Sequence, residues 1–449
     1  MSNNLRVGYA RVNVVPPLGI PIAGYFKERF ADGILDDLEV VAVAIASKEN
    51  TVLLLTIDHC GIPKEYLTPW REMIAEKTGV DPKAIFIHST HTHQGPILDK
   101  NNPHPLIREY EKYLEKRVGD ASVEALADLK PAKMGFGVGE ARNVAFVRRF
   151  RMKDGTAKTN PGVNNPDIVA PIGDVDERVN VLRFDREDAQ TVVLVNFGNH
   201  PDVVGGNKIS GDWPAMTRRF VEKCIDNTCC VFFNGAQGDV NHVNVHPKAG
   251  DFNDMFHDFD GCSRGYGHAR HIARVVTGAV MSVYDKVEWL DVDEVKYIQK
   301  IVEIPSNKAD PKDLPLAHKY NDLHNQGRDD LIPYEAMMLT TVVAEAGRMV
   351  RLENAPDTFP MLFSAIAIGD VALFGIPGEP FTGIGRGIKE AEGWKLVLPC
   401  CQTNAREGYF PMIDSYEEGG YEARSSNFKA GVAEKIIENG LEILADLRK

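Results

Sequence analysis

At 449 residues, 43% hydrophobic and 26% charged, the chain has an ordinary globular composition with material for a large buried core. Its formal charge of -13, with basic runs no longer than Arg148-Arg149-Phe150-Arg151, excludes nucleic acid or an anionic membrane surface as a main partner. No apolar stretch approaches the ~20 residues that span a bilayer, and Met1-Ser2-Asn3-Asn4-Leu5-Arg6 lacks the apolar core of a secretory signal, so a cytoplasmic location is expected.

Leu5 to Ala10 reads as a first strand. Val40 to Ala46 and Val52 to Ile57 are β-branched runs joined by Lys48-Glu49-Asn50, which predicts a hairpin. A helix is expected over Pro63 to Gly79, a buried strand over Ala84 to His88, and a helix over Leu106 to Leu129. Strands follow at Val179 to Phe184 and Thr191 to Phe197, then a helix at Pro214 to Ile225 and a strand at Cys230 to Phe233. Cys262 to Tyr284 reads as a long helix. Val295 to Ile304 and Phe359 to Phe374 read as strands, the latter with a turn at Gly369-Asp370, and Glu379 to Ala391 and Phe428 to Leu447 as helices. Lys153 to Asp176 and Pro305 to Asp330 are polar and read as loops long enough to carry function. The alternation predicts an α/β fold, with mixed sheets covered by helices in one large unit over 1–449. None of the seven cysteines has C-x-x-C spacing, so buried, reduced thiols are expected.

Histidines carry the chemical signal. His88, His91 and His93 crowd the end of the strand Ile85-Phe86-Ile87, and His-x-His on extended chain puts both rings on one face. Two imidazoles can then approach one ion, or one can bind while the other acts on water. His200 follows the strand ending at Phe197, and Asn234-Gly235-Ala236-Gln237-Gly238-Asp239 follows Val231-Phe232-Phe233. The glycines of that loop allow close backbone approach, for an oxyanion or simply for a tight turn. Glu379 follows a strand and opens the expected helix, where a carboxylate also suits the helix dipole. Open α/β sheets place ligand sites at such strand ends, and four of them here bear metal-ligand or anion-binding groups.

In these blocks the chain resembles the neutral (non-lysosomal) ceramidase family, nearly end to end. Arg11 to Pro17 with Ala23-Gly24-Tyr25 is similar to the family's opening segment, and Thr90-His91-Thr92-His93-Gln94-Gly95-Pro96 to its ATHTHSGP block. Phe197 to His200 with Ser210-Gly211-Asp212, Asn234 to Asn241, and Pro377-Gly378-Glu379 are similar to further blocks. Tyr409 and Tyr421, twelve residues apart, match the spacing of two active-site tyrosines. The resemblance implies a neutral-ceramidase-like catalytic domain holding Zn²⁺ by His91, His200, Glu379 and Tyr409, an N/O donor set suited to zinc. It also implies that His93 handles the proton of an attacking water, while Arg148 (or Arg149, the other choice of register) and Tyr421 contact the scissile carbonyl. Asp58 and Asp212 are expected to orient the metal histidines; His59, His242, His246, His257 and His271 are expected to be structural.

Family members that act on ceramide are secreted or membrane-attached and add a C-terminal immunoglobulin-like domain. Here the helix Phe428 to Leu447 closes the sequence soon after Tyr421, and no such domain is expected. Gln94 stands where the family has serine, and Tyr421-Glu422-Ala423-Arg424-Ser425-Ser426 departs from its YEGAST. The expected activity is therefore a zinc-dependent amidohydrolase acting on a small, more soluble N-acyl or other amide compound. Two alternatives are a two-metal phosphoesterase, suggested by Asp58-His59, Gly198-Asn199-His200 and Gly238-Asp239, and a non-catalytic ligand-binding protein.

Overall fold

A computed structural model of the chain describes residues 4–252 and 265–449. The start of the expected helix at Cys262, and His257, lie outside the described residues. Among those described, the strands Thr228–Asn234, Thr191–Phe197, Arg178–Arg186, Lys130–Glu140, Arg6–Asn13, Glu39–Ala46, Thr51–Ile57 and Ile85–Ser89 pair in that order, with Glu288–Leu290 also on Lys130–Glu140. Most pairs are antiparallel, but both edges end in a parallel pair: Thr51–Ile57 with Ile85–Ser89, and Thr191–Phe197 with Thr228–Asn234. These strands are buried along almost their whole length and read as continuous apolar runs, as parallel neighbours covered on both faces do. The sheet curls until its edges meet. The Asn234 backbone N–H donates to His88 Nε2 at 3.0 Å, and the Phe86 and Phe233 rings lie 6.1 Å apart.

Helices Lys64–Thr78 and Pro105–Ala127 pack on one half of this sheet; Asp212–Cys224 and Tyr266–Tyr284 pack on the other. A second sheet joins Val295–Pro305, Thr358–Ile368, Val371–Gly375 and Leu396–Cys400, its last pair again parallel, under helices Thr382–Lys389 and Val432–Arg448. Cys60, Cys229, Cys230, Cys400 and Cys401 are buried free thiols, while Cys224 is exposed.

Several elements differ from expectation for identifiable reasons. The strand Lys130–Glu140 carries glycines at 135, 137 and 139, which weaken a strand signal. They let helix Tyr266–Tyr284 lie close: a Cβ at Gly139 would sit 2.4 Å from the Ala279 carbonyl oxygen. Within the expected loop 153–176, Ala157–Thr159 and Ile168–Pro171 instead flank Arg149–Met152 as a three-stranded sheet. Within 305–330 lies the helix Leu314–Asn325, which buries only Ala317 and so shows little apolar periodicity. It packs on a further helix, Ala336–Leu352. Glu379 does not open a helix. Glu379–Pro380 pairs in parallel with Tyr409–Phe410, Glu379 directly opposite Tyr409, and the helix begins at Thr382. No described helix is long and apolar enough to cross a membrane.

Candidate metal centre

Three parallel strand pairs each deliver a group to one point. His91 follows Ile85–Ser89 by two residues, His200 follows Thr191–Phe197 by three, and Glu379 follows Val371–Gly375 by four. Tyr409 arrives through the bridge that places it beside Glu379. The chain at His91 is not extended, as a period-two reading required. His91 has φ of 72°, an uncommon left-handed conformation for a side-chain-bearing residue, and this turn brings His93 Nε2 to 3.2 Å from His91 Nε2.

The donor atoms form a nearly equilateral triangle. His91 Nε2 to His200 Nε2, His91 Nε2 to Glu379 Oε2, and His200 Nε2 to Glu379 Oε2 are each 3.3 Å. The Tyr409 hydroxyl is 3.5 Å from His200 Nε2. Tetrahedral bonds of ~2.0–2.1 Å place neighbouring ligand atoms ~3.3 Å apart, so this set fits zinc in spacing as well as in donor type. The outer nitrogens fit too. His91 Nδ1 faces the Cys60 carbonyl, and His200 Nδ1 the Gln237 carbonyl at 3.0 Å. Donation from each Nδ1–H leaves the Nε2 lone pairs free to point at an ion. Cys60, His91 and His93 form a second group of close donors, but the Cys60 sulfur lies 3.9 Å from His91 Nδ1, the side turned away from the triangle. Because the two groups share His91, they are not separate centres among the described residues.

His91, His93, His200 and Glu379 are buried and Tyr409 is partly buried, so each charge acts on the others. Burial alone would raise the Glu379 carboxyl, but His91 and His200 hold it well below the usual range. Burial would lower His91, yet Glu379 and Cys60 raise it to about 10, so without an ion it forms an ion pair with Glu379. Burial, and then the charge of His91, push His93 well below its ordinary value; burial and then Arg148 lower His200. Burial and Glu379 raise the Tyr409 phenol, with Arg148 opposing them.

Of the two candidate arginines, Arg148 is the one brought to the site. Its guanidinium lies 5.2 Å from the Tyr409 ring, held by Glu422 at 2.7 Å and by the Gly238 carbonyl. Arg149 turns away to Ser415, Glu418 and the Gly419 carbonyl. The Tyr421 ring lies 5.6 Å from that of Tyr409. His91, His93, Glu379, Tyr409 and Tyr421 line a cavity of about 180 Å³ that also takes in Gly24, Tyr25, Phe26, Cys60 and Arg406. Tyr421 also borders a second cavity of about 470 Å³, walled by Ala157, Pro161, Met337 and Met338.

Asp58 and Asp212 do not touch His91 or His200. Asp58 pairs with buried Arg218 at 2.6 Å and accepts from Thr90. Asp212, raised by burial to about 7, accepts the backbone N–H groups of Val203, Val204 and Trp213. Both hold the loops that carry His91 and His200. His59 is buried and neutral beside the Gly61 carbonyl, and His246 and His271 are exposed. His242 is buried next to Asp202, 3.4 Å from its carboxylate. The 234–239 loop spends its glycines on packing. A Cβ at Gly238 would meet the Glu379 carbonyl oxygen at 2.5 Å, and one at Gly235 the Gly198 backbone nitrogen at 3.0 Å. Its Asp239 accepts both the backbone N–H and the hydroxyl of Thr382, tying this loop to the start of the next helix. Sequence reasoning missed Arg29, which donates to the His93 and Ala23 carbonyls and to Gln94 and stacks 4.1 Å over Tyr25. An isolated arginine in a loop carries no periodic or motif signal.

The fold is that of the neutral ceramidases. The crystal structure of neutral ceramidase from Pseudomonas aeruginosa matches with a TM-score of 0.74 over 100% of this chain and 75% of that one, at 16% identity. A structure of a ceramidase complexed with C2 matches with a TM-score of 0.72, covering 100% of this chain and 76% of that one, at 15% identity. No family model and no curated protein matches the chain.

Proposed function

We propose that the protein is a metal-dependent amidohydrolase, with zinc held by His91, His200, Glu379 and Tyr409, acting on an N-acyl compound smaller and more soluble than ceramide. The observation that carries this reading is the triangle of 3.3 Å separations among His91, His200 and Glu379, with His93 Nε2 3.2 Å from His91 Nε2. When bound, zinc supplies Lewis acidity, polarising a carbonyl and acidifying water toward ~7. His93 accepts the proton of the attacking water at its imidazole and returns it to the leaving nitrogen, a role suited to a neutral ring. Arg148 and Tyr421 donate to the carbonyl oxygen as it gains charge. The ion pair with Glu422 fixes the guanidinium, so little reorganisation accompanies that step. The small polar cavity at the triangle supports a compact substrate, and the neighbouring Met-lined cavity offers room for an acyl group.

The test is metal analysis beside hydrolysis. One zinc per chain is expected, with cleavage of medium-chain N-acyl compounds that stops on chelation and returns with zinc. Two metals per chain and turnover of phosphate esters in place of amides would overturn it.

A further inference from the structure

Arg406 lines the metal-site cavity, is exposed, and makes no hydrogen bond or ion pair among the described residues. The other cations around the site are committed: Arg148 to Glu422, Arg149 to Glu418, and Lys64 to Glu407, the acid next to Arg406 in sequence. Glu379 is the one carboxylate lining the cavity, and it is engaged by His91 and His200. Arg406 is therefore the arginine lining the cavity that has no carboxylate partner among the described residues. Its position is set from both sides. The flanking backbone is fixed by Asn404, whose side-chain oxygen accepts from the Ile87 N–H at 2.9 Å, and by the Glu407 N–H, which donates to the Pro377 carbonyl at 2.9 Å. The aliphatic stem lies over Gly61, where a Cβ would meet Arg406 Cδ at 2.7 Å; Gly61 leaves the space the stem occupies. Arg406 shares the cavity wall with Cys60 and Tyr421.

We propose that Arg406 is a specificity-determining residue that binds a carboxylate on the substrate, making the substrate class the N-acyl amino acids. This inference rests on the amidohydrolase reading. A guanidinium matches a carboxylate with two parallel N–H···O bonds. A carboxylate carbon two bonds from the scissile nitrogen would lie at the cavity wall while the carbonyl faces Arg148 and Tyr421. Hydrolysis adds water across the C–N bond: the acyl carbon gains the oxygen, the nitrogen takes the proton, and the products are a carboxylic acid and a free amino acid.

The experiment compares N-octanoylglycine with N-octanoylglycinamide, which differ by that charge, on the zinc-loaded protein and on Arg406→Gln and Arg406→Lys. The wild type is expected to favour the acid by at least about 10-fold in kcat/KM. Arg406→Gln should cut the acid-over-amide ratio by about 10- to 100-fold, chiefly through KM, the loss of a charge-assisted hydrogen bond; Arg406→Lys should retain part of it. Equal rates on both compounds in the wild type, or a ratio unchanged in Arg406→Gln, would overturn the assignment. Should neither compound be cleaved, the hydrolase reading fails on its own, and calorimetry of N-octanoylglycine binding still decides. Binding at least ten-fold weaker to Arg406→Gln supports the carboxylate site, and equal binding refutes it.

Discussion

His91 and His93 sit two residues apart and differ in what fixes them. The left-handed turn at His91 aims its Nε2 into the triangle, with Nδ1 tied to the Cys60 carbonyl. His93 has its carbonyl clamped by Arg29, and its Nδ1 makes no hydrogen bond with the described protein. If His93 moves protons and does not hold the ion, His93→Ala should keep about one zinc per chain and lose ~10²–10⁴-fold in rate. His200→Ala should lose the metal itself. Metal analysis separates the two, and loss of zinc from His93→Ala would make it a ligand. His88 gives a pH prediction. Burial, followed by the charges of His91 and Arg218, pushes it down to about 3, between Thr56 and the Asn234 N–H. An unfolded histidine binds its proton near 6.5 and the folded one does not, so His88 destabilises the native state increasingly as pH falls from 6.5 toward 3. At pH 5 this amounts to about 2 kcal/mol. The fall in unfolding free energy between pH 7 and pH 5 should shrink by roughly that amount in His88→Gln, measured by urea titration.

At the level of elements, parallel pairing does the positioning. Strands Ile85–Ser89, Thr191–Phe197 and Val371–Gly375 each lie parallel to a neighbour, and loops at their carboxyl ends converge because the first sheet curls edge to edge. The strands themselves are readable as apolar runs, and so are the histidines and Glu379 that follow them. The bridge Glu379–Pro380 to Tyr409–Phe410 is not, because a two-residue pairing has no periodicity. Loop glycines make the approach possible. Gly238→Ala would drive a Cβ into the Glu379 carbonyl, with an expected cost of ~1–3 kcal/mol and weaker zinc binding. Gly278→Ala, with open space around its Cβ in an exposed helix position, serves as the control; it should be neutral or stabilise by up to ~1 kcal/mol. Thermal unfolding with and without zinc measures both, and equal behaviour of the two variants would contradict the packing account.

Across the whole molecule, the four donors come from segments spread between residues 91 and 409, carried by both sheets. An ion bound there would join the two sheets, and only the folded chain would bring all four donors to it. Zinc at 100 times its Kd should therefore stabilise by ~2.7 kcal/mol, seen as a concentration-dependent rise in Tm that is absent in His200→Ala. No zinc dependence in the wild type would count against the centre. The sequence by itself determined the α/β alternation, most of the long buried strands, and the histidine blocks from which the resemblance to neutral ceramidases was read, because apolar runs and local motifs are written in neighbouring residues. Only the tertiary structure decided that Arg148 and not Arg149 reaches the site, that Asp58 and Asp212 brace loops, and that Arg406 stands unmatched in the cavity. Which side chain meets which depends on chain closure over hundreds of residues, and two adjacent arginines differ only in the face to which the strand turns them.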